Sequence, residues 1–147
     1  MTSNRRKARE FSLQILYMLD IVKAKDCRSA IQAFWDHFGQ SYDCLAFANQ
    51  LAMGVTEHVV EIDQTIGRCS HNWKLSRMSY VDRNILRLAV FELLYCPDIP
   101  PKVSINEAIE ISKRYGDKDS GAFINGILDQ IFRQLQTSEQ EVAHQQP

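Results

Sequence analysis

A chain of 147 residues with 45% hydrophobic and 24% charged residues is the size and composition of one globular domain and excludes wholesale disorder. A formal net charge of −1 excludes nucleic-acid binding driven by overall charge, so any such function must lie in a local patch. No apolar h-region follows the charged start, and no apolar stretch of about 18 residues is present to span a bilayer.

Cys27, Cys44, Cys69 and Cys96 are spaced too widely for a CxxC zinc element, so they read as single thiols of a reducing cytoplasm, without disulfides. Helical periodicity dominates, with no hairpin signal. A first helix is predicted over about 3–23, with Ala8, Phe11, Ile15, Met18, Leu19 and Val22 on its apolar face. A second covers about 28–38 and stops near Gly39. A third runs from about Tyr42 to Ile66, with Gly67 as its C-terminal cap.

After a loop at Asn72–Leu75, Ser79 and Asp82 form a variant capping box. From Val81 to Tyr95 apolar residues surround the helix, which places it at the centre of the second half. Pro97, Pro100 and Pro101 end it, and Ser104 with Glu107 read as the capping box of the next helix, ending at Tyr115-Gly116. A last helix occupies about 120–135, with a stripe of Ile124, Ile127, Leu128, Ile131 and Leu135. Gly126 inside it costs about 1 kcal/mol against alanine, which points to close packing or close backbone approach there.

The expected fold is all-α: a compact bundle of about six or seven helices in two packed subdomains, about 1–70 and 71–136, within one domain. The polar, glutamine-rich segment 137–147 reads as a disordered tail.

Chemistry concentrates first in Arg5-Arg6-Lys7-Ala8-Arg9-Glu10. On a helical wheel Arg5, Arg6 and Arg9 fall within an arc of about 100°, a ridge able to hold successive phosphates by guanidinium forks. A solvated helix face or an anionic-lipid anchor are the alternatives. Tyr17, near the edge of that arc, could stack on an unpaired base or meet a partner protein. In the segment 117–126, Phe123 lies off the buried stripe beside the N-terminus of the last helix, where free N–H groups can meet a phosphate. Read simply, Asp119 or Ser120 is a cap and Phe123 is core.

Enzymatic constellations are missing. His37, His58, His71 and His144 form no HxxxH or HExxH pattern, and no GxxxxGK[ST], GxGxxG or GxSxG occurs. Glu107 and Glu110 read as surface carboxylates. No catalytic site, metal or cofactor is expected.

Four blocks in order resemble the NusB family. They are Arg5–Glu10 with Gln14, Leu16 and Tyr17; Val81–Leu93; Pro101–Glu110; and Asp119–Asp129. The resemblance covers nearly the whole chain, residues 23–43 least. It implies an all-α, non-enzymatic cytoplasmic factor that binds single-stranded boxA leader RNA with NusE, a ribosomal small-subunit protein. The pair would join a transcription elongation complex with other Nus factors and promote readthrough in ribosomal RNA operons.

Carried over by position, the resemblance makes Arg5, Arg6, Arg9, Asp119 and Phe123 RNA-binding residues, and puts Tyr17 and Asp82 on the NusE-facing side. Asp82 replaces a longer glutamate, and Gly121 and Ala122 stand where longer polar or basic residues are common. Two other functions compete. Related helical domains precede ribosomal RNA cytosine methyltransferase domains, for which this chain has no room. A protein-only interaction module is the other. A homodimer that hides the arginine ridge is a further expectation.

Overall fold

The computed structural model of the chain describes residues 4–38 and 44–145, with side chains as far as residue 138. Within them run α1 (Asn4–Val22), α2 (Cys27–Phe38), α3 (Leu45–Glu57), α4 (Val59–Cys69), a 3-10 turn at Leu75–Arg77, α5 (Tyr80–Tyr95), α6 (Pro101–Tyr115) and α7 (Ser120–Gln145). The all-α expectation holds, and no strand is found among the described residues. Gly39 and Tyr42, expected at the end of one helix and the start of the next, lie outside the described residues.

Local chemistry sets most of the boundaries. Lys23 closes α1 in the left-handed region at φ 51°, and the Ala24 N–H donates to the Leu19 carbonyl at 3.2 Å, a Schellman-type end. Asp26 accepts the Ser29 N–H at the start of α2. Ser79 caps α5 as expected, its Oγ accepting the Asp82 N–H at 3.1 Å.

Three boundaries differ from the sequence reading. The long third helix is bent into α3 and α4 at His58, whose φ is −114° and ψ 19°. Its helical hydrogen bonds continue through the bend, while the imidazole stacks 4.2 Å from the Tyr95 ring. Tertiary stacking therefore outweighs straight-helix geometry there. Gly67 is a helical residue of α4 rather than its cap. The last helix runs ten residues past Leu135, through much of the segment whose composition read as a tail; its glutamine, glutamate and alanine are good helix formers.

Helix α6 also begins earlier than its capping box implied. Pro100 is the N-cap and Pro101 the first helical residue, where a missing N–H costs nothing. Ser104 and Glu107 are thus released from capping and stand inside the helix.

Helix α5 is the hub, packed against α1, α3, α4, α6 and α7. Its Leu86 and Val90 are fully buried with Ile15, Leu51, Ile62, Ile66, Ile124 and Leu128 from the surrounding helices. Close approach of α3 to α5 occurs at Gly54, where an added Cβ would stand 2.2 Å from Phe91 Cζ. Gly126, expected to mark close packing, is exposed with nothing within 4 Å of such a Cβ.

The buried face of α1 is rotated from the predicted stripe. Val22 is exposed, whereas Arg9 and Ser12 turn inward with Ala8, Ile15 and Leu19. Ser12 Oγ is accommodated by donation towards the Ala8 and Ala48 carbonyls. Polar groups can enter this face because facing helices supply their partners.

Candidate nucleic-acid interface

Helix α1 delivers its arginines into three different environments. Arg5 is exposed, with its guanidinium 4.8 Å from the centroid of the half-buried Phe47 ring on α3. Arg6 is half-buried and grips Glu107 of α6 through Nε and Nη2 at 2.8 and 2.9 Å. Arg9 is 4% exposed and makes a second fork to Glu92 of α5, itself 2% exposed.

Three exposed guanidinium groups on one ridge are therefore not formed. Arg9 leaves the ridge because α1 rotates towards α5, where Glu92 awaits it. Ser104 Oγ donates to Glu92 Oε1 at 2.8 Å, which adds a third bond to that buried carboxylate. An ion pair removed from water needs such full satisfaction. Arg9 also lies 3.9 Å from Glu107, at the edge of ionic contact.

Acidic partners accompany the basic residues along the whole α1–α6 seam. Glu10 accepts two bonds from Arg114 Nη1 at 3.1 Å. The Glu107 carboxyl is held below its ordinary pKa, first by the Arg6 hydrogen bonds, and Arg6 is raised by the same contact. Both stay ionised near neutrality. Sequence reading treated Glu107 as a surface group; its side chain is only 17% exposed.

At the other end of the chain, Asp119 is exposed just before α7. Its N–H donates to Asp117 Oδ1 at 2.8 Å, and its carbonyl accepts the Phe123 N–H at 3.1 Å. Phe123 is half-buried at the margin of the core. Helix α6 links this region to the arginines, since Glu107 holds Arg6 while Ile109 and Ser112 face Gly121. Between α6 and the start of α7 lies an open cleft of about 580 Å³, lined by Lys113, Lys118 and Asn125 among others. Small Gly121 and Ala122 keep it wide.

Tyr17 sits elsewhere on α1, 42% exposed, edge-on to Tyr80 of α5 at 6.1 Å between ring centroids. Exposed Ile21 follows one turn later on the same helix face. Arg83 covers the Tyr80 ring at 4.9 Å and reaches Asp20 at 3.3 Å. Asp82 Oδ1 is shielded from solvent without a hydrogen bond. Tyr17 is thus tied to α5 by Tyr80, which the sequence motifs did not single out. Its aromatic character at the first position of α5 was the available signal.

Among the described residues no cluster of three or more histidine, cysteine, aspartate or glutamate side chains is arranged to hold a metal, and no helix is long and apolar enough to cross a membrane. The four cysteines are free thiols, and burial pushes Cys69 and Cys96 up in pKa.

Comparison with known proteins bears directly on this surface. The family model described as "NusB family" matches residues 6–133. A Transcription antitermination protein NusB of Syntrophus aciditrophicus is 48% identical over 141 residues, 95% of this chain and 87% of the relative. The structure of T. maritima NusB superposes with a TM-score of 0.79 at 40% identity, covering 89% of this chain and 92% of that one. A crystal structure described as antitermination factors NusB and NusE in complex with dsRNA contains a chain 27% identical, with a TM-score of 0.79, covering 90% of this chain and 98% of that one.

Proposed function

Because the chain belongs to the NusB family, we propose that it is a non-enzymatic transcription antitermination factor whose α1–α6–α7 face binds RNA together with NusE. It acts in the cytoplasm within an elongation complex that includes other Nus factors. The RNA is a single-stranded boxA-type leader element, and the readthrough serves ribosomal RNA operons. A homodimer that covers the arginine end of α1 is the storage form.

One observation carries the site: α1 leaves Arg5 exposed and Arg6 half-exposed at its first turn, flanked by the half-buried Phe47. The Arg5 guanidinium can reach a phosphate directly, and the half-exposed Arg6 beside it can do so at the cost of its contact with Glu107. Phe123 offers an aromatic edge for a base, and Asp119 can accept from a base amino group or a ribose hydroxyl. Arg9 supports binding from beneath, by fixing α1 on α5. Exposed Tyr17, Ile21 and Tyr80 form the face for NusE, with Asp82, carried over from the family resemblance, on the same first turn of α5 as Tyr80.

The test is binding of labelled boxA-type RNA by the chain alone and with NusE, over a salt series. Affinity falls as salt rises, since phosphate contacts release counterions, and NusE strengthens it. Arg5→Ala with Arg6→Ala abolishes most of the binding. Unchanged affinity in that double variant overturns the assigned surface. Competition with unlabelled double-stranded RNA of the same sequence checks the single-strand preference.

A further inference from the structure

We propose that Glu107 sets the affinity of the RNA site by occupying the Nε/Nη2 edge of the Arg6 guanidinium in the free protein, so that an RNA phosphate must displace a carboxylate to take that two-bond fork. The inference rests on the reading of Arg6 as an RNA contact. Glu107 is not itself an RNA ligand; it is a competitor built into the fold.

The geometry is that of a bound oxyanion. Glu107 takes Nε and Nη2 of Arg6 at 2.8 and 2.9 Å, the parallel two-bond fork by which arginine also receives a phosphate. A carboxylate on one edge of the guanidinium and a phosphate on the same edge are mutually exclusive. Glu107 is also permanent. It projects from the middle of α6, away from either helix end, and its neighbours Ser104 and Ala108 are buried.

Two features make the bond breakable. Arg6 is 34% exposed at its side chain, so an approaching phosphate can reach it. Arg9, by contrast, is sealed against Glu92 and could not exchange partners without exposing a buried charge. Nature of the second carboxylate on the seam matters too: Glu10 is engaged by Arg114, so it does not relieve Arg6 when Glu107 is displaced. The Arg6 position of the ridge is therefore held neutralised in the free protein. Weak RNA and lone phosphates do not repay loss of the Glu107 bonds, whereas an RNA that makes further contacts at Arg5 and Phe123 does. Glu107 thereby trades affinity for selectivity.

The experiment measures affinity for labelled boxA-type RNA in wild type, Glu107→Gln, Glu107→Asp, Glu110→Gln, Arg6→Gln and the Arg6→Gln/Glu107→Gln pair, with circular dichroism and thermal melts to confirm folding. Glu107→Gln tightens binding about three- to tenfold, the effect of removing one partly screened charge-assisted pair. Glu107→Asp keeps the charge but shortens the reach, and also tightens binding, less strongly. Glu110→Gln, one turn along the same helix and exposed, changes affinity by less than about twofold. In the Arg6→Gln background the gain from Glu107→Gln disappears, as a double-mutant cycle requires of residues that act through each other.

Weaker or unchanged binding by Glu107→Gln, with Arg6→Gln still defective, overturns the competition and leaves the RNA surface standing. So does an equal gain from Glu110→Gln, which reduces the effect to general charge. Normal binding by Arg6→Gln removes the RNA surface and this inference together. If Glu107→Gln melts below the assay temperature, Glu107→Asp alone decides: a gain supports competition and a loss overturns it.

Discussion

Arg9 and Glu92, 83 residues apart in the chain, face each other across the α1–α5 contact through two bonds of 2.9 and 2.7 Å while both are almost wholly buried. Breaking such a pair strands a charge in a low-dielectric interior, which costs more than the pair itself contributes. Arg9→Ala is expected to destabilise the fold by about 3–5 kcal/mol in urea titrations. Arg9→Met combined with Glu92→Met is expected to recover much of that loss, because no uncompensated charge remains. A double variant less stable than Arg9→Ala would show that the pair is worth more than its desolvation.

Two glycines inside helices are expected to respond to alanine with opposite signs. Alanine is favoured over glycine in a helix by about 1 kcal/mol when nothing else changes. At Gly126 nothing lies within 4 Å of the new Cβ, so Gly126→Ala stabilises by up to about that amount. At Gly54 the new Cβ meets Phe91 Cζ at 2.2 Å, and the ring is hemmed in by the core. Overpacking of about 1–3 kcal/mol outweighs the helical gain, so Gly54→Ala destabilises. Phe91→Leu added to Gly54→Ala restores part of the loss. Equal signs at the two sites, measured by thermal melts, would contradict this packing.

How legible this was in the sequence depends on whether the signal was local. The all-round apolar character of α5 announced its central place, and Glu92, the single charge within residues 88–94, was itself a signal for a buried basic partner. Ser104 and Glu107 matched a capping box by spacing, but Pro101 starts α6 three residues before Ser104 and frees both side chains for tertiary bonds. The wheel set Arg5, Arg6 and Arg9 side by side correctly; it could not say that Glu92 draws Arg9 inward. Gly54 packs against a phenylalanine 37 positions away, and no local pattern encodes that contact. The family resemblance supplied Asp119 and Phe123, which periodicity alone read as cap and core.

Phe47 is expected to matter for RNA although it lies on α3, away from the arginine run. Its ring lies under Arg5 at 4.8 Å and within 5.6 Å of Arg9. A cation–π contact at a partly exposed site is worth about 0.5–1 kcal/mol. Phe47→Leu keeps apolar volume but removes the π face, and is expected to weaken RNA affinity about two- to fivefold with little change in melting temperature. Unaltered affinity would show that Arg5 needs no such platform.

Tyr17 belongs to a different surface and is expected to separate the two partners. With Tyr80 edge-on beside it and Ile21 exposed one turn away, it anchors an apolar patch flanked by Arg83. Buried aromatic anchors of this kind commonly cost 2 kcal/mol or more on truncation, so Tyr17→Ala should reduce NusE affinity by about thirtyfold or more. Binding of RNA by the chain without NusE should be unaffected. Calorimetry with NusE and fluorescence with RNA measure the two separately, and a common loss would place Tyr17 in the fold rather than at a partner.

Acid is expected to act on the Arg6–Glu107 pair in one direction. Glu107 has a depressed pKa in the folded chain, chiefly through its bonds to Arg6, so it binds fewer protons there than when unfolded. Stability from this group is fully present above the unfolded glutamate value of about 4.3 and is lost as pH falls through the lower folded value. Arg6 remains charged throughout, so it adds no pH dependence of its own in that window. Glu107→Gln is therefore expected to lower stability near pH 7 modestly, since Arg6 is partly solvated, and to flatten the decline of stability below about pH 4.3. Urea midpoints taken between neutral and acidic pH for both proteins reveal the difference. A constant gap between the two at every pH would mean that Glu107 is not titrating against Arg6.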